Sequence, residues 1–289
     1  MTRRPADRPH ILIADCWGAA AQQAMIALGA RANARFFEDA LRLHEPAVRC
    51  TSINVADGEE LPAGVTLDAF DGVMLTGSPL CVCDTTPTVR HQIDFARAVF
   101  ACGMPVWGSC YGLQLATVAL GGAVRRNPNG RELGVARAIA VTGQGVGHPL
   151  LSGRPSVFDA LCSHEDEVES LPPGASVLAG NSTSTVQAMA VRTPAGGAFF
   201  GTQYHPELDL TVIAAIFQLR ASDLAAEGFA RAEADLHGLA GDYRALAEAP
   251  DRQDIARRHD IGSTILDPRE RSLEIGNWLA WVQGPVDGG

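Results

Sequence analysis

The chain has 289 residues, 46% of them hydrophobic and 19% charged, enough apolar material for one large domain or two small ones around a sizeable core. Acidic side chains outnumber basic ones, 33 to 23, and the resulting net charge of −10 lacks the basic footprint of a nucleic-acid binder. No run of about eighteen apolar residues occurs, so no membrane-spanning helix is expected.

The first ten residues are basic and polar, and the apolar run that follows is cut by Asp15. That is too short for a signal-peptide core, and a cytoplasmic location is the expectation. The seven cysteines are scattered, and in that compartment they are expected to be thiols. Cys81 and Cys83 form the tightest pair, but a zinc site would need CxxC-type spacing and a second ligand pair, so no metal is expected.

Residues 10–15 (HILIAD) read as a buried strand, 33–44 as a helix with Phe36, Phe37, Ala40, Leu41 and His44 on one side, and 48–55 as a second strand. Residues 70–76 read as another buried strand ending in Gly77-Ser78-Pro79. A helix is predicted over 89–102, a short strand over 105–108, and a helix over 111–120 closed by Gly121-Gly122. Strands alternating with helices imply βαβ units and a mostly parallel sheet, whose ligand sites lie at the carboxyl ends of the strands. From 132 to 204 the pattern changes to short β-rich runs, at 135–141, 176–179, 186–191 and 198–203. These read as antiparallel strands added to the sheet. Residues 211–229 are apolar enough to pack as helix. The polar tail beyond has helical spacing, and Leu273, Ile275, Trp278, Leu279 and Trp281 predict a last docking helix.

The strongest chemical signal is Gly108-Ser109-Cys110-Tyr111-Gly112, a G-x-C-x-G turn between a strand and a helix. This is the nucleophile-elbow pattern with Cys in place of Ser. The flanking glycines permit a sharp turn, the sulfur stands at the sheet's carboxyl edge, and the helix N-terminus favours the thiolate. The N–H of Tyr111 is left to face an oxyanion. The other six cysteines read as small hydrophobes. A cysteine nucleophile needs a base and the base an orienter. His205-Pro206-Glu207, just past a strand-like run, supplies both. His164, beside Glu165, Asp166 and Glu167, is the rival base, in what otherwise reads as a solvated acidic loop. The turn at Thr76-Gly77-Ser78-Pro79 offers a further backbone N–H.

Together these segments resemble the class I glutamine amidotransferase family, over roughly residues 10–222. The similarity is greatest to the branch holding the amidotransferase domain of GMP synthase and its stand-alone relatives, γ-glutamyl peptidases among them. It is carried by TGSPLCVCD (76–84), PVWGSCYGLQLA (105–116), SHEDEV (163–168) and TQYHPE (202–207). The resemblance implies a three-layer α/β/α sandwich, flavodoxin-like, with a mostly parallel central sheet, added antiparallel strands and a helical C-terminal extension. It divides the chain into a catalytic domain at 1–222 and an extension at 223–289.

By the same resemblance Cys110 is the nucleophile, His205 the general acid/base and Glu207 its orienter, with the N–H groups of Ser78 and Tyr111 holding the oxyanion. Gly77, Gln114 and the backbone of Ser163 and His164 are implied to hold the glutamyl group, making His164 a pocket residue rather than the base. The chemistry needs no metal or organic cofactor. The family's glycine pair before the proline is Gly77-Ser78 here, so Ser78 must serve with a backbone that suits a Cβ. Trp17 is open to two readings, a cap on the pocket or an ordinary packing residue. Selectivity is expected in residues 77–86 and 127–132.

The sequence has no P-loop and no Gly-rich ATP loop, so any synthetase that used the ammonia would be a separate chain. Three readings stay open: a glutaminase subunit of such a synthetase, a free-standing hydrolase or peptidase of a γ-glutamyl metabolite, and a catalytically silent binding or regulatory protein. The tail is left with packing, the contacts of a homo-oligomer, or the docking of a partner.

Overall fold

A computed structural model describes residues 8–284; the basic, polar residues 1–7 noted above lie outside the described part, as do 285–289. The strands are β1 (His10–Asp15), β2 (Arg49–Asn54), β3 (Gly72–Leu75), β4 (Val106–Ser109), β5 (Ala123–Arg126), β6 (Glu132–Val141), β7 (Val157–His164), β8 (Asp166–Ser170), β9 (Ala175–Gly180), β10 (Ala188–Arg192) and β11 (Ala198–Thr202). The helices are α1 (Ala19–Ala27), α2 (Asn33–His44), α3 (Pro87–Ala101), α4 (Tyr111–Ala119), α5 (Leu210–Leu219), α6 (Ala221–Ala226), α7 (Glu233–Glu248), α8 (Gln253–Arg258), α9 (Ser263–Leu266), α10 (Pro268–Arg271) and α11 (Leu273–Gln283). The boundary expected after residue 222 falls inside α6.

Nine strands form one sheet in the order β2-β1-β3-β4-β11-β10-β9-β6-β7, and β5 pairs with β8 in a separate ribbon. From β2 to β11 every neighbour runs parallel, and from β11 to β7 every neighbour runs antiparallel. The run at 198–203, expected within the antiparallel block, is therefore the hinge of the sheet. Its Thr202 lies beside Ser109 of β4 in parallel register.

Because strand side chains alternate, β1 serves two cores. Ile11 and Ile13 face α2 and α11, in a cluster with Phe37, Met74, Trp107, Tyr204 and Trp278. Leu12 and Ala14 face α3 and α4, with Val73, Leu75, Val99, Leu113 and Phe199. Helices therefore cover both faces of the parallel strands, which explains why these strands read as unbroken apolar runs. Helix α2 matches the predicted span, and its buried Phe36, Phe37, Ala40 and Leu41 form the predicted stripe.

The tail packs at two places. Helices α7 to α9 bury Leu236, Ala240, Tyr243, Ile255 and Ile265 with Leu161 of β7 and Phe217 of α5. Helix α11 lays Trp278 against β3, where a Cβ added to Gly72 would stand 2.9 Å from the indole. Glu274 of α11, fully buried, accepts from Arg154 Nε at 2.6 Å and from the Tyr204 hydroxyl at 2.7 Å. The last helix thus reaches the end of β11. Trp278→Ala removes a fully buried indole from the central core and is expected to lower stability by about 3–5 kcal/mol, measured by chemical unfolding.

Candidate active site

The carboxyl ends of β1, β3, β4 and β11 lie side by side, and the predicted site residues follow directly from them. Cys110 comes one residue after β4 and begins α4 with φ 51° and ψ −107°, a conformation rarely held by a residue with a Cβ. Holding it there costs of the order of 1–3 kcal/mol. The neighbours enforce it. The Cys110 N–H donates to the Thr202 carbonyl at 2.7 Å, continuing the β4–β11 ladder past its last pair. A Cβ on Gly108 would stand 2.6 Å from the Gly112 carbonyl carbon, and one on Gly112 would stand 2.1 Å from the Leu75 carbonyl oxygen. No larger residue fits either place, so both glycines of the elbow are steric requirements. The Cys110 thiol lies 3.6 Å from the Ser163 carbonyl. Tyr111, at the first position of α4, has an N–H with no acceptor inside its own helix.

His205 follows β11, and its N–H donates to the Leu161 carbonyl at 2.8 Å. Its Nδ1 lies 2.7 Å from Glu207 Oε1, with both residues buried. That contact leaves Nε2 for the reacting side. The second Glu207 oxygen accepts from the Ser109 hydroxyl at 2.9 Å, and Ser109 accepts from the Trp107 indole N–H at 2.9 Å. Ser109 and Trp107 share a face of β4, two residues apart. Sequence reasoning missed both. The variable position of the motif, between Gly108 and Cys110, is the residue that fixes the Glu207 carboxylate.

Gly77 is needed for a reason other than backbone freedom: a Cβ there would come within 2.9 Å of His205 Cε1. Ser78 is not among the residues with positive φ, so its Cβ is accommodated without strain. The loop is held from below by a buried polar cluster. Asn33 Nδ2 donates to Asp15 Oδ1 at 2.8 Å, Thr76 Oγ1 at 2.9 Å and the Gly77 carbonyl at 3.1 Å, and Gln22 Nε2 donates to Asp15 Oδ2 at 3.0 Å. The Gly77 carbonyl and the Ser78 N–H belong to one trans peptide plane and point oppositely. Asn33 therefore turns the Ser78 N–H away from itself. Asp15 and Asn33 carried no catalytic signal in the sequence.

His164 cannot turn toward Cys110 without losing partners. Its Nε2 lies 2.9 Å from Glu132 Oε2 and its Nδ1 3.1 Å from the Asp166 carbonyl. Although burial opposes it, the His164 contact holds the Glu132 carboxyl below its usual range. The stretch 163–167 is two paired strand ends, β7 and β8, rather than a solvated loop, and Glu167 is buried against Arg125 at 3.0 Å. Gln114 is buried, with Nε2 donating to the Asp166 carbonyl at 3.1 Å and Gln203 Oε1 at 3.2 Å.

Gly77, Ser78, Gln114, Ser163, His164 and His205 share the wall of one cavity of about 680 Å³, and buried Cys110 meets that wall at Ser163. Cys81, Cys83 and Arg131 come from the segments expected to govern selectivity. Apart from Trp17, the apolar part of the wall was not anticipated: Met25 and Phe36 from the α1–α2 region, and Leu208, Val212 and Ile216 around α5. Both readings of Trp17 hold: it lines the cavity and it packs on the apolar cluster of Met25, Phe36, Leu208 and Val212.

Comparison with known proteins gives a consistent result. The family model described as glutamine amidotransferase class-I matches residues 41–219. A gamma-glutamyl-L-1-hydroxyisopropylamide hydrolase of a Pseudomonas species is 38% identical over 180 residues, 61% of this chain and 60% of that protein. A glutamine-hydrolyzing GMP synthase of Thermomicrobium roseum is 34% identical over 145 residues, 50% of this chain and 25% of that one. The chain thus spans less than two-thirds of the length of either relative. A glutamine amidotransferase of Thermotoga maritima has the same fold, with a TM-score of 0.66 at 15% identity over 97% of this chain and 100% of that one.

Burial disfavours a charged imidazole at His205, but the Glu207 carboxylate and the neighbouring Cys110 sulfur outweigh it and raise the pKa to about 10. A raised folded-state pKa means that this group stabilises the fold fully below its ordinary 6.5, and the contribution is lost as pH rises through 10. Titration of the His205 ring followed by NMR should therefore show an imidazolium through neutral pH. Glu207→Gln should move the midpoint down toward the ordinary value.

Proposed function

The chain belongs to the class-I glutamine amidotransferase family, and from that premise we propose that it hydrolyses a γ-glutamyl amide, glutamine being the simplest, through a thioester on Cys110. The observation that carries this reading is the strained elbow at Cys110 beside a buried His205–Glu207 pair with a contact of 2.7 Å. In this reading the Cys110 thiolate attacks the side-chain carbonyl and a C–S bond forms. The oxyanion accepts from the N–H groups of Ser78 and Tyr111. The His205 imidazolium gives its Nε2 proton to the departing nitrogen, the C–N bond breaks, and ammonia or an amine leaves. Water then attacks the thioester and returns a proton to His205. Glutamate departs and the thiolate is restored, so one amide and one water give glutamate and one amine.

Glu207 holds the imidazole by Nδ1, and Gly77 lets the ring approach the loop. Gln114 and the Ser163–His164 backbone hold the α-amino and α-carboxylate groups. In the glutamine form of the reaction, ammonia passes to a separate synthetase chain. Residues 1–222 carry the chemistry, and residues 223–289 brace it through the Glu274 contact with Arg154 and Tyr204.

A second reading, a free-standing hydrolase of a larger γ-glutamyl amide, is favoured by the cavity. If each of the roughly ten heavy atoms of glutamine took a water's share of about 30 Å³, the amino acid would fill less than half of the 680 Å³. The Pseudomonas relative is named for a substrate of that type.

Cys110→Ala is expected to abolish glutamate release with little change in the thermal melt. His205→Asn should slow release by roughly 10²–10⁴-fold, the usual contribution of a positioned acid/base. His164→Asn should cost less activity than His205→Asn. The reverse order in a glutamate-release assay would move the base to His164, and full activity in Cys110→Ala would remove the thioester.

A further inference from the structure

We propose that the cavity has a second lobe built for an apolar amine, so that the preferred substrate is the γ-glutamyl amide of an alkyl- or arylamine. This rests on the hydrolase reading above. The lobe is formed by Trp17, Met25, Phe36, Leu208, Val212 and Ile216. These side chains belong to one apolar cluster, in which Met25, Phe36, Leu208 and Val212 are buried. The lobe is continuous with the wall that carries Gly77, Ser78 and His205. A substrate acylating Cys110 with its glutamyl half must extend its leaving group from the scissile nitrogen. That half enters the space adjoining His205, to which the six side chains named above give an apolar wall.

Charge on the amine half is not provided for. Arg31, stacked 4.5 Å from the Phe36 ring, lines the cavity beside these side chains, and it is engaged by Asp209 at 3.0 Å and by Asp39. The other arginines of the wall, Arg126, Arg131 and Arg220, converge on Glu165, with Arg126 at 3.2 Å and Arg220 at 3.4 Å, and Arg131 also meets Glu227 at 2.8 Å. A leaving group with a carboxylate, as in a γ-glutamyl dipeptide, would have to compete with these acidic partners for the arginines. An apolar group would gain by leaving water for this wall. The reaction balances as before: the C–N bond breaks, the amine takes the His205 proton, and water completes the release of glutamate.

The test is glutamate release by the purified chain from a matched set: glutamine, γ-glutamylisobutylamide, γ-glutamylanilide and γ-glutamylglycine. The isobutylamide and anilide should exceed both glutamine and γ-glutamylglycine in kcat/KM by roughly tenfold or more, the scale on which an apolar pocket discriminates. Ile216→Asn, a half-buried position, should lower the kcat/KM ratio of isobutylamide to glutamine by a similar factor. Turnover of glutamine with the apolar amides no better, preference for γ-glutamylglycine, or an unchanged ratio in Ile216→Asn would overturn the inference and leave the hydrolase reading standing. Silence on every compound would overturn both.

Discussion

The contact between His205 Nδ1 and Glu207 Oε1 is the interaction on which the rest of the site depends. A buried carboxylate is costly unless every oxygen is engaged, and removing one member of such a pair typically costs about 3–5 kcal/mol. Here one oxygen takes the imidazole and the other takes Ser109, which is itself fixed by Trp107. The pair keeps a positive charge on the ring, and the ring's remaining nitrogen is then the only part free to act. In the proposed reaction, fixing a buried charge and fixing the orientation of the imidazole are the same physical requirement.

The sheet supplies the convergence. Strand β11 pairs parallel with β4 on one side and antiparallel with β10 on the other, so the chain enters it from the added strands and leaves it at the carboxyl edge. One ladder therefore delivers both Cys110, through its N–H on Thr202, and His205, three residues further on. Strand β3 brings Gly77 against the imidazole with no room for a Cβ, and Leu75 closes on Gly112. The last helix adds Glu274, buried against Arg154 and Tyr204, so the residue before His205 is anchored from the far end of the chain. The strain at Cys110 is offset by this close-packed frame, which has no slack to relax it.

What was legible in the sequence was what is local. The elbow reads from five consecutive residues because its glycines are steric requirements of the turn itself. The span of α2 reads because Phe36, Phe37, Ala40 and Leu41 keep helical spacing. The buried strands read because both of their faces are covered. What failed to read depends on partners far along the chain. The acidic stretch at 163–167 becomes two strand ends because β6 and β5 pair with it, and Glu167 is buried because Arg125, 42 residues away, meets it. Asn33 looks like the start of a helix until Asp15 and Gly77 are placed around it. Helix α1 was missed because Ala19–Ala27 buries only Gln22 and Met25 and shows little amphipathic pattern. The apolar wall of the cavity was missed with it, since half of that wall comes from the α1–α2 region.

The central claim is that a glutamyl group is carried on Cys110. Mixing the protein with a γ-glutamyl amide, quenching in acid within milliseconds to seconds, and measuring intact mass tests it most directly. The account predicts a fraction of the chain heavier by one glutamyl group, the added mass mapping to the peptide that contains Cys110 and vanishing in Cys110→Ala. Glutamate release without any such adduct, continuing in Cys110→Ala, would contradict it.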